Sequence, residues 1–340
     1  MIVSFYDKNF KGLQNNASLV AKKDSFSLIK RPVEMNTLSC VCEPFTEDIQ
    51  PTFLVIQNDK GGYIYGCLAG VPLLNEDNQT EINGTDLKSM LSSDVILQPG
   101  TYSTVNEYIN YLFTQWQTQV NQGSFTTEIA FNSNVGSVAM QDLKPATEKA
   151  IYNAYDELAK YLKYYDLFID TEIDLINKKV IFTIGKTMFR TLNIKLWEHG
   201  IKNYGKWVAD VNECQGYYNN NGTWQAGYKW ILTKDNKITI TESERNIYPI
   251  KRKVIVNEDS IAKANEESLT ELLNSLYNEN IDLNADEVLQ ERASLETKFI
   301  IFTKQGQPAY KELPCGELQY DSNGLKKVQI GYRYSGVEFI

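Results

Sequence analysis

Histidine is nearly absent from this sequence: His199 is the only one in 340 residues. A single imidazole with no placed nucleophile speaks against triad or His-based acid–base chemistry, and His199 is read as a polar loop or strand-end residue. Long apolar runs are also missing, and none approaches the roughly 18 residues that a membrane helix needs. The first eight residues, Met1 to Lys8, lack a basic region leading into an apolar segment, so synthesis in the cytosol without signal-directed export is expected. Five cysteines is an odd number, and Cys40, Cys42, Cys67, Cys214 and Cys315 form no pairwise framework, which favours reduced thiols. Cys40 and Cys42 would share one strand face, but no second pair or nearby His completes a metal site. Phosphate loops, a Gly-x-Ser-x-Gly elbow, His-Glu-x-x-His and paired Cys-x-x-Cys spacing are absent. Four Asn-x-Ser/Thr matches, at Asn16, Asn78, Asn83 and Asn221, are chance matches in a chain without a signal peptide. No catalytic residue, cofactor or metal site is therefore assigned.

What remains is an ordinary globular composition, 42% hydrophobic and 23% charged, in a chain long enough for two or three domains. The 34 basic and 43 acidic residues leave a formal charge of −9, the wrong sign for neutralising DNA phosphates. The one dense basic cluster, Lys251-Arg252-Lys253, lies in a β-like run whose alternation sends the charges to both faces, as on a solvated edge.

From Ser25 to about Gly100 short β-forming segments alternate with turns, and Asn58-Asp59-Lys60-Gly61-Gly62 marks a hairpin. A small antiparallel sheet or barrel is expected. Ile82 should end a strand, Gly84 should allow a bend, and Thr85 or Asp86 should cap a short helix carrying Leu87, Met90 and Leu91. Thr104 and Glu107 form a capping box for a helix with Val105, Tyr108, Ile109, Leu112, Phe113, Trp116 and Val120 on its core side. Pro145 is expected to open a second helix that buries Ile151, Ala154, Tyr155, Leu158, Tyr161, Leu162 and Tyr165. A hairpin follows, turning at Asn177-Lys178. Its Asp170, Glu172 and Asp174 share one face; a calcium or paired-carboxylate site competes there with a half-solvated strand, and the strand is preferred.

A second β region begins near Trp207, with a hairpin through Asn219 to Gly222. A third helix is expected from about Ser260 to Tyr277. Asn284 is read as the cap of a short helix in an acidic stretch, and the chain should end in strands. The resulting fold class is α+β: β-rich and multidomain, with small antiparallel sheets or barrels and a few packed amphipathic helices. Its expected domains are a first β domain at 1–100, a helix-rich α/β domain with a hairpin at 101–205, and a second β domain with one long helix at 206–340.

The run Ile82-Asn83-Gly84-Thr85-Asp86-Leu87-Lys88-Ser89-Met90-Leu91, after a hairpin with Tyr63-Ile64-Tyr65-Gly66, resembles the opening of baseplate or tail-tip hub proteins of tailed bacteriophages. The helices at Val105 to Trp116 and Ile261 to Leu276 are similar to later parts of those proteins. So are the β region near Val211, Gly316-Glu317-Leu318 and Gly331-Tyr332-Arg333-Tyr334-Ser335-Gly336. The resemblance is to tail proteins of long-tailed phages and prophages of Gram-positive bacteria. It implies a non-enzymatic virion protein of the tail tip: a homotrimer ringing a central channel, joined to the distal-tail ring protein and other tip proteins, with DNA passing the lumen without specific binding. The chain lacks the fibre-like or peptidoglycan-hydrolase extension of some relatives, so no attached lytic activity is expected. Two other readings are carried from the residues. One is a carbohydrate-binding surface protein using Tyr217, Tyr218, Trp224, Tyr228 and Trp230; the other is a glycan hydrolase working with two carboxylates.

Overall fold

The computed structural model describes residues 1–13, 19–22, 24–45, 50–120, 128–140, 149–187, 190–198, 201–206, 211–233, 238–257, 259–274, 279–302 and 310–331. His199, Pro145, Trp207 and the last nine residues lie outside these segments.

One large sheet organises the molecule. Its strand order is Ile201–Lys206, Glu279–Asn284, Gly324–Ile330, Tyr310–Asp321, Ser27–Lys30, Thr37–Cys42, Thr80–Thr85, Tyr63–Leu68, Phe53–Gln57, Ile2–Tyr6, Leu19–Val20. The join is made where Leu318 pairs with Lys30 and Tyr320 with Leu28. Each half encloses its own apolar core. Val3, Phe5, Leu28, Leu54, Ile56 and Cys67 fill the first, and Ile194, Ile281, Leu283, Phe299, Val328 and Ile330 fill the second, with Tyr320 packed against both.

Tyr310–Asp321 serves both sides of the second core. Its first half pairs with Thr297–Phe302, and after a bulge at Cys315 to Glu317 its second half pairs with Gly324–Ile330. Gly316 is required at that bulge, because an added Cβ would stand 1.9 Å from the Gly331 carbonyl oxygen.

Helices α1 (Val105–Gln119) and α2 (Ala154–Tyr164) pack on a third core, which they share with the sheet of Glu128–Ser133, Lys179–Lys186 and Leu167–Asp174. The capping box of α1 forms as its sequence predicts, and Val105, Tyr108, Ile109, Leu112, Phe113 and Trp116 are buried. Trp116 also donates its indole N–H to the Met90 carbonyl at 3.1 Å. That bond removes the penalty of burying its one polar atom.

Helix α3 (Ile261–Asn274) lies on a four-stranded sheet ordered Ile238–Thr239, Thr223–Leu232, Glu213–Asn220, Arg252–Asn257. Cys214, Trp230, Leu269 and Leu272 form the core between them. The hairpin of this sheet turns at Asn221 and Gly222, both at positive φ, the geometry that the Asn-Gly pair anticipates.

Three local expectations are corrected. Helix α2 starts at Ala154, capped by Asn153, and Ile151 sits exposed in a strand, Ala150–Asn153, paired with Asp94–Leu97. The strand expected to end at Ile82 runs on to Thr85, so Gly84 makes no bend. Its missing Cβ instead makes room for Cys67 Sγ, which would lie 2.4 Å from a side chain there. Asn284 ends a strand whose Ile281 and Leu283 point into the core, and Asp286 caps the short helix α4 (Glu287–Arg292).

Candidate assembly interface

Three polar networks among the described residues tie interior elements together. After Thr85 the chain enters a short 3-10 helix, Leu87–Leu91, where an α-helical turn was expected. Asp86 caps it by accepting from Lys88 N at 3.1 Å, and it also accepts from Asn36 N at 2.5 Å. Lys88 is 0% exposed. Its Nζ donates to the Arg31 and Glu34 carbonyls at 2.9 and 2.7 Å and lies 3.6 Å from the Asp86 carboxylate. Burial lowers the Lys88 pKa against the opposing pull of Asp86. Nothing in the neighbouring residues signals this, because a lysine beside a cap is ordinarily solvated.

In the second network Glu157 of α2 accepts from Tyr108 Oη of α1 at 2.6 Å and from Lys160 Nζ at 2.5 Å. Lys160 Nζ also reaches Glu266 of α3 at 2.7 Å. The cluster therefore bolts the four-stranded sheet's helix onto the α1–α2 layer. Burial pushes the Glu266 carboxyl above its ordinary range. In the third, Glu213, fully buried, takes ion pairs from both Arg245 and Arg252.

The expected basic edge is a sheet edge: among the described residues Arg252–Asn257 pairs only with Glu213–Asn220. Arg252 turns to Glu213 on one face and Lys253 to Glu271 of α3, at 2.6 Å, on the other. Val254 and Val256 stand about half exposed along it, at 50% and 49%. A second apolar exposure occurs in the hairpin of Leu73–Leu74 with Thr80–Thr85, where Val71, Leu73 and Leu74 are 64%, 58% and 59% exposed.

The carboxylate row on the hairpin has ordinary partners. Asp170 binds Lys30 Nζ, and Asp174 accepts from Ile176 N and Asn177 N to close the turn. No group of three or more His, Cys, Asp or Glu residues converges for a metal among the described residues. All five cysteines are free and buried, and burial raises the Cys40 and Cys42 thiols to about 12. The five rings weighed for sugar stacking do not form one platform. Trp230 is 3% exposed and donates to the Asn265 carbonyl, Trp224 is 57% exposed, and Tyr217 and Tyr218, adjacent in one strand, point to opposite faces. No helix among the described residues is long and apolar enough to cross a membrane.

No known protein family and no curated protein matches the sequence. Solved structures do share the fold, and it is the β-rich α+β architecture that the sequence leads one to expect. Prophage tail protein gp18 from Listeria monocytogenes EGD-e matches with a TM-score of 0.50 at 9% identity, over 99% of this chain and 96% of that one. The lidded Francisella PdpA-VgrG complex contains a chain matching at 0.51 and 10% identity, over 100% of this chain and 53% of that one. Its half-lidded form gives 0.50, 10%, 100% and 59%. This chain thus spans a little over half the length of the PdpA-VgrG chains it matches.

Proposed function

We propose that the protein is a structural, non-enzymatic component of a phage or prophage tail tip or baseplate hub. The observation that carries this reading is the fold shared, from end to end, with a prophage tail protein of nearly the same span. In the proposed assembly three copies ring a central channel, one end meeting the distal-tail ring protein and the other the remaining tip or receptor-binding parts. A net charge of −9 supports the channel role, because a negative wall repels DNA in transit and does not retain it.

The test is localisation. Peptide mass spectrometry of purified tails should find the protein in small stoichiometric number, and antibody labelling should mark the tail end distal to the head. Tails that lack it, or labelling along the tube, would overturn the proposal.

A further inference from the structure

Two open strand edges on this chain are complementary to each other. The Arg252–Asn257 edge has three consecutive β-branched residues, no proline and, among the described residues, no strand on its outer side, and such an edge is a template for another strand. Lys251, just before it, is exposed and makes no ion pair with any described residue. The arm formed by Val71 to Asp77 has the opposite character. It runs apolar first and acidic last, and among the described residues Leu73–Leu74 pairs on one side only, with Glu81 and Thr80. Its tip carboxylates, Glu76 and Asp77, are exposed and make no ion pair among the described residues. Exposed leucines and a valine in four residues need a cover in a working assembly.

We propose that the arm of one copy adds antiparallel to the Arg252–Asn257 edge of the next copy. Val71 then lies opposite Val256, Leu73 opposite Val254, and the Glu76–Asp77 tip beside Lys251. The parity is consistent, since directly opposed residues share a face and 71, 73, 254 and 256 fall on one side of the joint sheet. Pro72 is tolerated because the arm is itself an edge strand. The contact is heterologous: each copy offers one arm and one edge, and repetition closes into a ring when the rotation allows. The occupant is a second copy because this chain carries both the apolar pair and the charges that complete it. This inference rests on the oligomeric part of the proposed function and supplies its interface.

The experiment uses Leu73→Cys and Val254→Cys, each purified separately; the natural cysteines are buried and give no background. Opposed residues in an antiparallel pair stand roughly 4.5–5.5 Å apart between Cα atoms, within disulfide range. Under mild oxidation the mixture should form covalent dimers while neither variant alone does, and the double variant should close into a covalent trimer. Glu76→Lys with Asp77→Lys should weaken association at least tenfold, and adding Lys251→Glu should restore it. A trimer in native mass spectrometry with no disulfide in the mixture would overturn this contact and leave the trimer intact. Cross-linking of either single variant alone would also overturn it, by showing a symmetric contact. A protein monomeric at every concentration would overturn the contact and the trimer together.

Discussion

Replacing Lys88 by Met tests the reading of the first junction. The methionine stem keeps most of the packing, so the change isolates the ammonium. Its loss leaves the Arg31 and Glu34 carbonyls without their donor and the Asp86 carboxylate without its nearest cation, all in a region closed to water. Breaking a buried pair by removing one partner costs about 3–5 kcal/mol, which is a large share of the roughly 5–15 kcal/mol that holds a typical domain folded. With a urea slope of about 2 kcal/mol/M, the midpoint should fall by roughly 1.5–2.5 M at unchanged slope. Hydrogen exchange should accelerate first in Ser27–Lys30 and Thr37–Cys42, the strands that flank the loop Lys88 binds. The double variant Asp86→Asn, Lys88→Met removes the orphaned charge yet keeps an acceptor for Asn36 N, so it should recover about half of the loss. A single-variant loss under about 1 kcal/mol, or a double variant no better than the single, would refute the reasoning.

Other outcomes follow from the remaining networks. Lys160→Met should destabilise strongly at pH 7, because Glu157 and Glu266 would face each other without a cation. Lowering the pH to 5 should return part of that loss as a carboxyl protonates, and thermal melts at the two values read it. Glu266→Gln should be neutral or mildly stabilising, since the Glu266 carboxyl is already pushed up by burial and Lys160 keeps Glu157. Burial raises the Tyr65, Tyr108 and Tyr161 phenols. A raised folded value means stability that is intact below the unfolded value near 10 and is lost as pH climbs beyond it, so denaturation midpoints should drop above about pH 10. Tyr108→Phe should shallow that drop. Trp116→Ala should cost about 3–5 kcal/mol in a chemical denaturation series, from the lost ring and its bond to Met90.

The parts of the fold that were legible are those written in neighbouring residues. The capping box at Thr104 and Glu107, the Asn-Gly turn at Asn221, and the Gly61 turn after Asn58 each fix a local geometry by themselves. The joint between the two β cores was not legible, because Leu28 and Tyr320 are brought together across nearly the whole chain and neither carries a signal naming the other. The strand Ala150–Asn153 was hidden for a related reason. Ile151 fits a helical stripe in sequence, yet it pairs with the Asp94–Leu97 strand, and Asn153 caps α2. The role of Lys88 was not legible because its partners are backbone carbonyls of a loop more than fifty residues earlier, and carbonyls have no sequence signature. For assembly, Lys251 to Lys253 pointed to an edge, but nothing in the sequence singled out the arm at Val71 to Leu74, whose exposure comes from the packing of the strands around it.

The account's central claim is a ring-forming hub part, and electron cryomicroscopy of the purified oligomer tests it most directly. The predicted result is three copies around an open channel, with the Val71 to Asp77 arm of each seated on the next copy. A monomer, or a closed dimer without a channel, would contradict it.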